Sequence, residues 1–242
     1  MKGKAVFPVL GSLFLIFLVS CVSSPKGFKN AETLLPVGIV AVTADDRILW
    51  YGDEEDTGAG LFDALFDKDD GEVDDPRSQA EFLVSASEQV LFESLKNRNV
   101  SFVDGEAMLA SGPYSAGEIS RVRNWSSIVY PENYKYFMHS DKDLIRALAS
   151  ETGMKSAAFV HFSFYTDISA GIAKTGSMYG FVTMEVNLTD SEGKRIANRT
   201  YTAKTDETMP VKGGLYDTRE LLELFPSALN AVCGDFVSDF LR

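Results

Sequence analysis

Hydrophobic and polar positions along this chain follow two periods, and their succession predicts a mixed set of strands and helices. Val37-Gly38-Ile39-Val40-Ala41-Val42-Thr43 is a β-rich run with apolar residues on both faces, as a central strand has. Ser78-Gln79-Ala80-Glu81 reads as a capping box, with Ser78 as N-cap, ahead of Phe82, Leu83, Ala86, Val90, Leu91 and Leu95 at three-to-four spacing. That helix is expected to end near Asn97 to Asn99, where a strand from Val100 to Val103 follows at once. Strand, helix and strand in this order predict a βαβ unit with the two strands parallel.

Between Glu106 and Ser140 the periodicity weakens. Glu106 to Ala110 fits a helical turn, and then Tyr114, Trp125, Tyr130, Tyr134, Tyr136 and Phe137 stand among Ser, Asn, Gly and Pro residues. Aromatic residues in such a stretch either pin a long loop to its own domain or form an exposed recognition surface. These six residues are the candidates for partner binding. Regular pattern returns at Ser140-Asp141-Lys142-Asp143, which caps a helix carrying Leu144, Ile145, Leu148 and Ala149 and stopping at Gly153.

Three strand patterns follow. Ala158, Val160, Phe162 and Phe164 alternate with Phe159, His161, Ser163 and Tyr165. A loop with Gly171, Gly176 and Gly180 leads to Val182, Met184, Val186 and Leu188, and Asp190-Ser191-Glu192-Gly193 turns the chain into Ile196 to Thr202. The last two are expected to pair as a hairpin, with Asn198, Thr200 and Thr202 on a solvated face. After Asp217-Thr218, Leu222, Phe225, Leu229, Val232, Cys233, Phe236 and Phe240 recur at helical spacing, and Pro226 inside that pattern is expected to kink or restart the helix. The fold class is therefore α+β (α/β) with element order β-α-β-α-β-β-β-α. It is a two-layer or three-layer domain with a mixed sheet and a long C-terminal helix.

The ends and the charge add location to this picture. Lys2 and Lys4 open a leader whose apolar run, Ala5 to Val19, is shorter than the roughly 20 residues a membrane-spanning helix needs. Its last residues, Leu18-Val19-Ser20-Cys21, resemble the lipobox of bacterial lipoproteins, in which cleavage precedes a lipidated cysteine. The resemblance implies a signal peptide at 1–20, lipidation of Cys21 and a short tether at 22–36. A single domain at 37–242 then faces the periplasm from the outer membrane, since Val22 stands where many inner-membrane lipoproteins have Asp. Loss of the leader's two lysines takes 23 basic residues to 21 against 35 acidic ones, a net charge of −14. Such a surface opposes nucleic acid and anionic headgroups, so membrane attachment is expected to come through the lipid.

Chemistry is sparse. His139 and His161 are the only histidines, and no CxxC, HxxxH, GxSxG, SxxK, P-loop or GxGxxG run is present, so neither a metal nor a cofactor is expected. Cys233 reads as a small core residue. From Asp53 to Asp75 the chain carries eleven acidic residues and one Lys, but the residues around Gly71 do not meet the EF-hand pattern, and a solvated loop is the reading.

Over residues 36 to 242 the element order, the opening Val37 to Val42 strand, the Asn99 to Asp104 strand and the Val186 to Ile196 turn region resemble two kinds of periplasmic lipoprotein domain. These are the curli-secretion type (CsgG-like) and the lipoprotein activators of penicillin-binding proteins (LpoB-like). The resemblance implies a non-enzymatic, lipid-anchored binding or assembly module of the cell envelope with an envelope protein as partner. An oligomeric subunit of an outer-membrane export assembly and a cell-wall hydrolase are the alternatives.

Overall fold

The structure, a computed structural model, describes residues 27–51, 75–103, 105–118, 127–132, 134–172 and 174–241. The leader with Cys21, the acidic segment up to residue 74, and Trp125 lie outside the described residues. At the centre is β1 (Val37–Asp45), whose first eight residues are all buried. It pairs in parallel with β3 (Phe102–Val103) on one side and with β5 (Ser156–Ile172) on the other. From β5 the sheet continues antiparallel through β6 (Thr175–Asp190) to β7 (Arg195–Lys204) at the edge. Three short strands extend it: β2 (Leu49–Trp50) beside β5, β4 (Ile128–Val129) beside the end of β1, and β8 (Met209–Val211) beside β6. The parallel βαβ unit, the 190–194 hairpin and the mixed sheet are as the sequence predicts.

A bulge between Ile39 and Ala41 explains how β1 serves two cores. Val37 and Ile39 point to one face; after the extra residue, Val42 and Ala44 point to that same face, while Val40 and Ala41 turn to the other. The first face is covered by α1 (Pro76–Asn97) and α5 (Thr218–Ser238), packed on Ala158, Val160, Phe162 and Phe164 of β5 and Val182, Met184, Val186 and Leu188 of β6. The second face is covered at one end only. There α2 (Gly105–Ala110), α3 (Gly112–Ala116) and α4 (Lys142–Thr152) bring Met108, Tyr114, Ile145 and Leu148, with Phe137, onto Val40, Ala41, Ala157 and Phe159. The domain is thus three-layered where β1 and β5 begin and two-layered where β5, β6 and β7 run on.

Several expectations are corrected. The N-cap of α1 is Asp75, not Ser78: its carboxylate accepts from the Ser78 backbone N (3.2 Å) and Oγ (3.1 Å), and Pro76 starts the helix, where its missing N–H costs nothing. Glu81 instead accepts from Arg77 Nε at 3.1 Å. Phe82 is 58% exposed, because the buried stripe runs through Ala80, Leu83, Val84, Ser87, Leu91 and Leu95. Ser87 is tolerated there by donating to the Leu83 carbonyl at 2.7 Å. α5 does not restart at Pro226, which stands inside one continuous helix on its exposed side, where the carbonyl freed by its missing N–H can turn to water.

The tether also differs. Phe28 to Pro36 belongs to the domain: Phe28 packs on Phe236 and Phe240, its N–H donates to the Asp239 carbonyl (2.8 Å), and a 3-10 turn (Ala31–Leu34) buries Ala31 and Leu34. The Gly-rich loop expected from Ala170 to Gly180 is strand, because β5 and β6 stay paired out to Ile172 and Thr175. Gly171 (φ 141°) and Gly176 (φ 139°) face each other near its tip, in a backbone region that a side chain disfavours.

Gly180 sets the contact between sheet and α5. A Cβ there would stand 2.9 Å from Phe225 Cε1 and 3.1 Å from Thr205 Cγ2, while the Gly180 N–H and carbonyl are both held by Thr205. Phe225 in turn packs edge-on against Phe164. Gly180→Ala should cost about 1–3 kcal/mol through overpacking, seen as a lower urea midpoint with an unchanged slope. A midpoint equal to wild type would mean that Phe225 has room to yield.

Candidate binding surface

The aromatic insertion is an internal wedge. Tyr114, Tyr134 and Phe137 are buried, with ring contacts from Tyr114 to Tyr134 (6.5 Å) and to Phe137 (5.0 Å); as partner-binding residues they are corrected to core. The Tyr114 hydroxyl accepts from the Lys135 backbone N at 2.9 Å, and burial, with the charge of Glu88 adding to it, pushes its pKa up to about 12. Lys135 Nζ donates to the carbonyls of Tyr114, Ser115 and Gly117, closing the C-terminal end of α3. Burial also raises the Glu88 carboxyl, against the hydrogen bond that the Tyr134 hydroxyl makes to it. Tyr130 and Tyr136 are half-buried. Tyr114 and Phe137 cover the second face of β1, while Tyr134 packs in the core of the first face, with Tyr130 against that core.

The surface available lies on the same side of the sheet, beyond α4. Alternation along β5, β6 and β7 sends apolar side chains to the helical face and the other set to a face that no described helix covers. Its rows follow the strand register. Phe159, Asn187 and Asn198 form the row nearest α4, then His161, Glu185 and Thr200, then Ser163, Thr183 and Thr202, then Tyr165, Phe181 and Lys204, with Asp167 and Tyr179 last. The side chains bind one another across strands. Asn198 Nδ2 donates to Asn187 Oδ1 (3.0 Å), Thr183 and Thr202 share a bond of 3.3 Å, and the Tyr179 hydroxyl donates to Asp167 (2.8 Å) while accepting from Lys204 Nζ (3.2 Å). Tyr165 and Phe181 stack at 4.8 Å, and Tyr51, 65% exposed, stands edge-on over both. Cross-strand pairs of this kind hold side chains in fixed positions without a covering layer.

At the β1 side of this surface sits a cluster that sequence spacing did not nominate. His161 Nδ1 lies 2.9 Å from Thr43 Oγ1, and Nε2 lies 3.3 Å from Asp45 Oδ1. Thr43 is buried and also reaches the Val160 carbonyl at 3.2 Å. Both ring nitrogens are thus engaged, one by a buried hydroxyl that itself donates to the Val160 carbonyl and one by a carboxylate that Ser163 also hydrogen-bonds, and the arrangement orients a half-exposed imidazole. Parallel pairing of Thr43 with His161 creates the cluster. The signal that could have found it is the alternation within Phe159 to Tyr165, which puts His161 and Ser163 on one side.

Cys233 is fully buried, and burial raises its thiol to about 12, as a core residue requires. Among the described residues no group of three His, Cys, Asp or Glu side chains could hold a metal ion, and no helix is long and apolar enough to cross a membrane. A shallow depression lies elsewhere, lined by Val103, Ala107, Ala110, Ser111, Glu151 and Thr152. No protein-family model matches this chain, and no curated protein matches it.

Burial raises the Asp45 pKa, but hydrogen bonds from His161 and Ser163 and the charge of His161 outweigh it, so the net shift is downward. A carboxyl depressed in the folded state stabilises above its unfolded pKa of about 4, and that contribution fades as pH falls through the folded value. Asp45→Asn should therefore cost about 0.5–1 kcal/mol at pH 6 and less at pH 3. Urea titrations at the two pH values measure this; equal losses would deny the carboxylate its role.

Proposed function

We propose that the chain is a non-enzymatic, lipid-anchored binding or assembly module of the cell envelope, held at the periplasmic side of the outer membrane, whose contact surface is the open face of β5, β6 and β7. The observation that carries this reading is the asymmetry of the second face. Apolar residues there are covered by α2, α3 and α4, while the uncovered part displays Tyr165, Glu185, Thr200, Thr202 and Lys204 in register, with Tyr51 standing over Tyr165. A rigid strand surface with aromatic, hydroxyl and charged groups is suited to recognising another protein. The fold spends none of these side chains on its core.

The lipobox-like Leu18 to Cys21 supports attachment, and the docked Phe28 to Leu34 segment sharpens where it acts. Only residues 22–27 remain between Cys21 and Phe28, a reach of at most about 25 Å. Ser156 Oγ donates to the Leu34 carbonyl, so the strap meets the sheet where β5 begins, and His161 to Asp167 lie about 15 to 35 Å further along that strand. The proposed partner is therefore a neighbour at the same membrane.

Two experiments test this. Cys21→Ser should move the protein from the membrane fraction to the soluble fraction and abolish palmitate labelling; retention with label would refute lipidation at Cys21. Glu185→Arg combined with Thr200→Arg, two exposed positions opposite each other, should remove the crosslinked heterologous band in native membranes with an unchanged melting temperature. An unchanged band would remove the open face from the contact.

A further inference from the structure

The sheet ends on β7, and this edge has a charge pattern unlike the rest of the chain. From Lys194 to Lys204 the sequence is Lys-Arg-Ile-Ala-Asn-Arg-Thr-Tyr-Thr-Ala-Lys, with four basic residues and no acidic one, in a protein of net charge −12. β7 pairs with β6 on one side and, among the described residues, with no strand on the other. In this ten-residue strand, alternate residues point their N–H and carbonyl groups away from β6, and this outer edge is a template for an added strand.

The side chains narrow what can add there. Arg195 is exposed at the start of β7; Arg199 lies on the helical side, 5.6 Å from the Phe28 ring; Lys204 lies on the open side, 4.4 Å from the Tyr179 ring. Two copies of β7 meeting across a two-fold axis would set arginines and lysines against one another, and like charges placed opposite across a ladder destabilise it. The same charges attract a strand rich in Asp and Glu. The acids near this edge are placed elsewhere: Glu192 is drawn to Arg146 (3.1 Å), Asp235 and Asp239 stand on the α5 side near Tyr201, whose hydroxyl donates to Asp239 (2.8 Å), Glu185 belongs to the adjacent strand, and Asp206 and Glu207 follow Lys204 beyond the end of β7. We propose that the outer edge of β7 accepts an extended acidic segment of a partner protein as an additional strand. This proposal does not rest on the open-face reading, because the edge and the face are reached independently.

A ten-residue peptide of alternating Thr and Glu serves as probe at low ionic strength, where surface charge is least screened. Three readouts are expected together. Amide exchange within 195–204 slows at least tenfold at saturation, the same peptide N-methylated at every second residue gives no slowing, and a Thr-Lys peptide gives none. Lys194→Glu with Arg195→Glu should weaken the Thr-Glu peptide at least tenfold while leaving the melting temperature unchanged. Absence of slowing would overturn the proposal and mark the basic residues as a guard that keeps the edge solvated. Equal slowing by the N-methylated peptide would also overturn it, since charge without strand addition would then suffice. A concentration-dependent dimer that protects 195–204 without peptide would overturn it in favour of a second copy of this chain. Loss of the crosslinked band on changing Glu185 and Thr200, with peptide binding at β7 intact, would separate the two surfaces.

Discussion

β1 is apolar on both of its faces, and an extended strand of that kind is stable only when both faces are shielded from water. Each buried Val or Ile contributes about 1.5–3 kcal/mol on burial, so leaving one side open would forfeit a large part of the net stability of a domain. The bulge between Ile39 and Ala41 divides the strand's residues between two cores. On one side α1 and α5 supply a continuous cover. On the other, two short helices, α4 and the buried rings of Tyr114 and Phe137 do the work. The aromatic insertion is a consequence of the central strand's composition.

That requirement ends where β1 ends. β5, β6 and β7 carry apolar residues on the helical side and polar or amphipathic residues on the other, so the second layer can stop at α4. The resulting step, three layers passing into two, exposes a patterned sheet face and a basic edge at β7. The proposed contact surface follows from what the fold leaves uncovered. His161 stands at the step, held by Thr43 and Asp45 between the covered and uncovered regions.

The strap from Phe28 to Pro36 completes this architecture at one end of the sheet. Its ring contacts with Phe236 and Phe240 close the end of α5, and the Tyr201 hydroxyl, which burial and its hydrogen bond to Asp239 hold in the protonated form, braces the same end from β7. Docking these residues makes Phe28 to Pro36 part of the folded domain. The strap enters at the end of the sheet where β5 begins, through the Ser156 hydroxyl and the Leu34 carbonyl.

The sequence by itself determined the long elements: β1 from its doubly apolar run, α1 and α5 from three-to-four spacing, α4 from Asp141 and Gly153, and the 190–194 hairpin from its turn residues. These are local signals, set by period, capping and backbone preference. It did not show the N-cap at Asp75, because Ser78 to Glu81 offers a second plausible start, nor the strand pairing through Gly171 and Gly176, where glycine reads equally as loop. β2, β4 and β8 are two or three residues long and exist only because a neighbour offers hydrogen-bonding groups. The aromatic residues were visible as a cluster, but which of them the core would consume depended on the uncovered side of β1. Only tertiary structure could decide that, as it could decide that His161 meets Thr43 and Asp45 across 116 residues or more of chain, since parallel register joins residues that no local period relates.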